Sequence, residues 1–246
     1  MYSGLSVPSS GIEKQQSTQV SDVSDQSGDA DLMVNNLVYK QPLALSLATS
    51  RHYNRLFWQR TEYKNASLQT AVIDWTSGSD YIDTENSYLT FTVQLVTSGA
   101  AITANFGSGS AMNLIRSILI KSRSGTELER IDRVNFWSRI NTLYTSSDDY
   151  LRKFGSVMGF GSTRTGAGDA ANVSDTAKTR FAIPLCFLAP FFKSIKGNKL
   201  PAQLASGLHM EIVWEDPRTA LFLKSGIAGD FANYDISDLA IMSDSV

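Results

Sequence analysis

From Leu56 onward, apolar and polar residues alternate with a period of two. The clearest run is Ser87–Val96, SYLTFTVQLV: Leu89, Phe91, Val93 and Leu95 point one way and Tyr88, Thr90, Thr92 and Gln94 the other, the pattern of a half-buried antiparallel strand. Similar runs predict strands over 56–63, 68–75, 115–121, 127–131, 179–185, 208–214, 221–224 and 234–241. Clusters of Gly, Ser, Asn and Asp separate them, which predicts a sandwich or barrel rather than βαβ units. No repeat with a period of 20 to 50 residues is visible, so a solenoid or propeller is not expected.

Helical spacing interrupts the strands twice. Between Val134 and Tyr144 the apolar residues Phe136, Trp137, Ile140, Leu143 and Tyr144 share one face, leaving Arg133, Ser138 and Arg139 for the other. A second helix is expected over 148–154, with Ser147 as its N-cap and acids in its first turn. Residues 155–177, rich in Gly, Ser and Thr, predict a long exposed loop, and 199–204 a single helical turn. The run IPLCFLAPFF, residues 183–192, is too short to cross a bilayer, which takes roughly 20 apolar residues, and it is closed by Lys193, Lys196 and Lys199. Pro184 and Pro190 cannot donate ladder hydrogen bonds, so a short strand should leave the sheet here and become a buried connection.

Residues 1–35 break the pattern altogether. They are rich in Ser, Gln, Asp and Gly and carry one base, Lys14, against five acids, Glu13, Asp22, Asp25, Asp29 and Asp31. Such a segment buries too little apolar surface to offset its ordering entropy, so it is expected to be a flexible arm that orders against a partner. The rest, 36–246, is long enough for one sandwich domain.

Composition narrows the chemistry. The formal charge of −2 lacks the basic footprint of a nucleic-acid-binding domain. A single cysteine and two histidines cannot supply a structural zinc site, and one cysteine cannot form an intrachain disulfide. The N-terminus lacks the pattern of a secretory signal, so the sequons at Asn65 and Asn172 are expected to be chance matches.

The glycines of 159–168 and 105–113 lack the strand and the helix of a phosphate cradle. His209 and Glu211 share the polar face of HMEIVW opposite Met210, Ile212 and Trp214, with no nucleophile elbow to use them. Cys186 is expected to behave as a small buried hydrophobe, and the acids Asp74, Asp80, Asp83 and Glu85 as a solvated turn rather than a cation site. Arg51, Arg55, Arg60 and Lys64, interleaved with Tyr53, Phe57, Trp58 and Tyr63, superficially match a stacking surface for single strands, although strand packing and subunit contacts explain the same residues. No catalytic, cofactor-binding or metal-ligating set emerges, and an enzyme is not expected.

Three segments, together about a third of the chain, resemble the single jelly-roll capsid proteins of icosahedral viruses, most of all the penton proteins of virophages, polinton-like viruses and related large eukaryotic DNA viruses. They are AMNLIRSILIKSRSGTELERIDRVNFWSRI (111–140), RFAIPLCFLAPFFKSIKGNKLPAQLASGLHMEIVWED (180–216) and YDISDLAIMSDSV (234–246). The resemblance implies an all-β fold, a single jelly-roll sandwich of two antiparallel sheets with short helical insertions and the N-terminal arm. It also implies a penton that forms homo-pentamers at fivefold vertices, contacts other capsid proteins such as the major capsid protein, and resides in the virion after assembly in the infected host cell.

Phe160, Phe191, Phe192, His209 and Glu211 are the subunit-interface candidates. The family's further sheet after 234–241 has no counterpart, so the final strand is expected from the N-terminal region or from residues missing at the C-terminal end. Two other assignments stand beside the penton: a major coat protein of a small icosahedral virus, and a carbohydrate-binding β-sandwich using Trp58, Trp75 or Tyr81.

Overall fold

The computed structural model describes residues 51–75, 81–99, 101–107, 109–147, 149, 151, 155–160, 172–195, 199–225 and 231–245. The arm over 1–35, most of the helix expected over 148–154, most of the glycine run 159–168 and Asp80 lie outside them.

Among the described residues the strands are β1 (His52–Phe57), β2 (Thr70–Trp75), β3 (Ile82–Thr97), β4 (Thr103–Asn105), β5 (Ile115–Lys121), β6 (Glu127–Ile131), β7 (Val173–Ser174), β8 (Thr179–Pro184), β9 (Leu208–Trp214), β10 (Phe222–Ser225) and β11 (Phe231–Ser245). Two four-stranded sheets, ordered β1-β11-β3-β8 and β2-β9-β5-β6, are joined by a smaller sheet ordered β10-β4-β7. Every pairing is antiparallel, and the long strands pair as β1 with β11, β2 with β9, β3 with β8 and β5 with β6. That is one long ribbon, folded at the β5–β6 turn and rolled so that successive pairs fall in alternate sheets, which is a jelly roll. β11, which contains the run expected over 234–241, lies between β1 and β3.

The period-two pattern sets the inward face. Leu89, Phe91, Val93 and Leu95 of β3 face Leu208, Met210, Ile212 and Trp214 of β9, all at most 3% exposed. Between the sheets runs a chain of tilted and edge-on ring contacts: Tyr63 to Trp214 at 6.4 Å, Trp214 to Phe91 at 5.6 Å, Phe91 to Phe181 at 6.2 Å and Phe181 to Phe106 at 5.3 Å. Burying each such side chain contributes roughly 1.5–3 kcal/mol, with about 0.5–1.5 kcal/mol more for each well-oriented pair. Tyr234 joins this core, its hydroxyl donating to the Glu215 carbonyl at 2.6 Å, and burial pushes its phenol well above the ordinary tyrosine range.

Two ion pairs fasten the strand ends. Arg51 grips the fully buried Asp244 with two guanidinium nitrogens, closing β1 onto β11. Asp83, at the start of β3, receives the Lys199 ammonium. Burial opposes ionisation of Asp83, but Lys199, Asn86 and the Glu85 amide outweigh it and hold its pKa below the ordinary aspartate value.

IPLCFLAPFF behaves as its prolines require. β8 ends at Pro184, and the chain then makes two short helices, α2 (Leu185–Leu188) and α3 (Pro190–Ser194), with Pro190 in the first turn where its missing N–H costs nothing. Cys186 is half-buried rather than sealed in the core. The turn expected over 199–204 is α4 (Ala202–Ala205), and α5 (Pro217–Ala220) begins at an Asp216 cap.

Two expectations need correcting. The stretch 155–177 is not exposed throughout: Met158 and Phe160 are buried, and β7 pairs with β4. Gly159 makes this possible, with φ at +78° and no room for a side chain; a Cβ there would meet Phe181 at 2.8 Å and Phe106 at 2.9 Å. Helix α1 (Val134–Thr145) forms where its spacing predicts, but it faces the other way. Val134, Asn135, Ser138 and Thr142 are buried, while Phe136, Ile140 and Tyr144 face solvent. The buried polar groups are satisfied in place: Asn135 donates to the Glu215 carboxylate at 3.1 Å, and Ser138 to the Asn135 carbonyl at 3.1 Å.

Candidate functional site

Because successive side chains of a strand point to opposite faces, each sheet also has an outer face, and the two differ. On β2-β9-β5-β6 the outer face carries a polar ladder. Register sets Asp74 of β2 and Lys121 of β5 opposite His209 of β9, from either side. The His209 Nδ1 lies 2.6 Å from an Asp74 oxygen and its Nε2 lies 3.0 Å from a Glu211 oxygen. A protonated ring donates to both carboxylates, a neutral one to only one of them. Lys121 Nζ donates to the same Glu211 oxygen at 2.8 Å, and Gln59 donates to Asp74 at 3.2 Å.

The His209 hydrogen bond holds the Asp74 carboxyl below its ordinary pKa, and the Lys121 ammonium, helped by His209, does the same for Glu211. His209 and Glu211 therefore do come together on one face, as their spacing implies. Asp74 and Lys121 complete the ladder through cross-strand register, which one strand's sequence does not encode.

The outer face of β1-β11-β3-β8 is apolar at its centre. Tyr88 and Thr90 of β3, Ala182 and Pro184 of β8, and Met242 of β11 floor a cavity of about 490 Å³. Val157 and Met158 wall it on one side, and Glu85 and Asn86 stand at its rim. On the same sheet, β1 adds the exposed rings of Tyr53 and Phe57, with the Arg51 and Arg55 guanidinium groups 5.7 Å and 4.9 Å from the respective ring centroids. The basic and aromatic set does not form one surface: Trp58 and Tyr63 are core residues, and Arg60 lies over Tyr63.

The aromatic interface candidates divide. Phe160 and Phe192 are buried within the subunit, Phe192 against Trp75 at 6.0 Å. Phe191 is half-buried, edge-on to Phe192 at 5.2 Å, and its amide donates to Glu129 at 2.7 Å. Burial pushes the Glu129 pKa up, with that amide opposing the shift. Of the aromatics considered for a sugar groove, Trp58 and Trp75 are buried and only Tyr81 is exposed. Asp74 and Asp83 are held by different partners, so they do not form the acidic turn considered for a cation.

A rolled ribbon with these two sheets is a jelly-roll fold. No family model matches the chain, and no curated protein matches it by sequence. Among solved structures it is similar to PBCV-1 VP54, in a crystal structure fitted into a cryo-EM reconstruction of the virophage Sputnik. The TM-score is 0.51 at 16% identity, over 84% of this chain and 44% of that one. The mavirus major capsid protein is matched at a TM-score of 0.44 and 10% identity, over 85% and 50% of the two chains. A chain of the Sputnik virophage cryo-EM structure is matched at 0.46 and 9%, over 86% and 51%. The chain thus spans about half the length of these structural neighbours.

Proposed function

We propose that this protein is a structural subunit of an icosahedral virion, and within it the penton, which forms pentamers at the fivefold vertices and contacts neighbouring capsomers built of the major capsid protein. The observation that carries this reading is the jelly-roll strand order, shared at a TM-score of 0.51 with a protein fitted into a virophage particle. The contrast of outer faces supports an assembly role: an apolar centre on one sheet offers area to a neighbour, whereas the charged ladder on the other stays content in water. The acid excess of residues 1–35 disfavours a genome-neutralising arm and favours a vertex protein over a major coat protein of a small virus. Function here is assembly: a head-to-tail contact repeats until rotation closes a ring.

Cryo-EM of the intact particle, with the chain fitted into the map, tests the assignment. Density for this sandwich at the fivefold vertices is the expected result, and density across the faces instead makes it a major coat protein. In solution, sedimentation should show the full chain associating into closed rings. A monomer that stays inert at high concentration and binds glycans saturably sinks the capsid reading and restores the carbohydrate-binding one.

A further inference from the structure

Among the described residues two apolar features lack cover, one convex and one concave. The convex one is the outward face of α1. Phe136, Ile140 and Tyr144 are spaced four residues apart, so they stack along one side of the helix, at 53%, 58% and 85% exposure. A surface helix ordinarily turns such a stripe inward. Here hydrogen-bonded Asn135 and Ser138 lie beneath the helix and the rings lie outside, an arrangement suited to a second surface. Arg133 and Arg139, both exposed, sit beside the stripe; Asp132, just before the helix, is the acid nearest in sequence. The concave feature is the groove of about 490 Å³ on the outer face of β3, β8 and β11, where Glu85 is the one charged lining residue among those described.

We propose that the α1 stripe of one copy docks in the β3–β8–β11 groove of a second copy. Ridge meets groove, and the arginines of the helix meet the acid of the rim, which is the helix-in-groove mode of recognition. Because the two surfaces differ, a docked pair keeps one free groove and one free helix, so the contact is head-to-tail and propagates until it closes. The proposal rests on the reading that copies of this chain associate, and it names the surfaces through which they do.

Disulfide trapping in the full-length chain tests it, in a Cys186→Ser background. Ile140→Cys lies at the middle of the stripe and Val157→Cys on the wall of the groove, both at exposed positions, at 58% and 51%. The two variants, purified separately, mixed and oxidised with copper phenanthroline in air, should give a covalent dimer that neither gives alone. The double variant should give a ladder of longer species. Ile140→Cys linking to itself marks a symmetric helix pair and overturns the proposal. So does a mixture that fails to link while the unmodified chain associates in sedimentation, and that outcome leaves the capsid reading standing. Absence of any association removes both.

As a second measure, Ile140→Asp should weaken self-association by roughly tenfold or more while the unfolding midpoint stays put. Unchanged association overturns the docking.

Discussion

The two outer faces of the sandwich are made of the same kind of strand and end in opposite chemistry. On β2-β9-β5-β6, Asp74, His209, Glu211 and Lys121 satisfy one another across three strands, and the face is complete as it stands. On β1-β11-β3-β8, Tyr88, Pro184, Ala182 and Met242 surround a groove whose described lining is mainly apolar. The difference lies in what stands at the outward positions of the alternation, not in the alternation itself. Inward positions build the fold on both sheets, and outward ones decide whether a face prefers water or protein.

Mutations that separate the layers should have unequal effects. Trp214→Ala strikes the inner layer that both faces share, where the indole touches Phe91 and Tyr63, and should cost about 3–5 kcal/mol in urea unfolding. Gly159→Ala strikes the turn that follows the groove-wall residues Val157 and Met158. It combines a left-handed backbone at +78° with a Cβ 2.8 Å from Phe181, and should cost about 1–3 kcal/mol. It should also speed hydrogen exchange at the Ala182 amide, which donates to the Val157 carbonyl at 3.0 Å.

Glu211→Gln strikes only the ladder and should cost no more than about 1 kcal/mol at low salt, less at high salt. A pH series sharpens the point. Asp74 and Glu211 have pKa values below their ordinary ones, so their contribution is fully present above the unfolded values and is lost as pH falls through the folded ones. Melts from about pH 7 down to about pH 3 should therefore show a shallower acid loss for Glu211→Gln than for the parent chain. A ladder variant costing more than Gly159→Ala would break the comparison.

The fold was legible wherever one strand carries its own period. β5, β6 and β9 begin and end where their alternation does. β3 and β11 outrun their predicted lengths for identifiable reasons: Asp83 and Thr84 are buried polar residues held by Lys199 and by the Phe192 carbonyl, and β11 is bulged between Ser237 and Ala240, with Asp238 at φ 55°. β4 and β7 are too short to show a period at all.

Surfaces were harder to read than strands. The orientation of α1 was not legible, because amphipathic spacing identifies a stripe without saying which side the rest of the chain will cover. Phe191 and Phe192 are neighbours in sequence, and only the turn of α3 sends one to the rim and the other into the core. His209 and Glu211 stood out as a pair, but Asp74 and Lys121 joined them through register, which belongs to three strands at once.

The place of β11 also governs how the chain must fold. It is the latest of the described strands in sequence, yet it lies between β1 and β3, and the Arg51 to Asp244 clasp joins residues 193 positions apart. Neither β1 nor the facing edge of β3 has its partner until residues 231–245 have left the ribosome, so two strand edges stand open while residues 98–230 are made. Folding of this sheet is correspondingly slow and dominated by distant contacts, and the sheet is most exposed to mispairing just before β11 arrives.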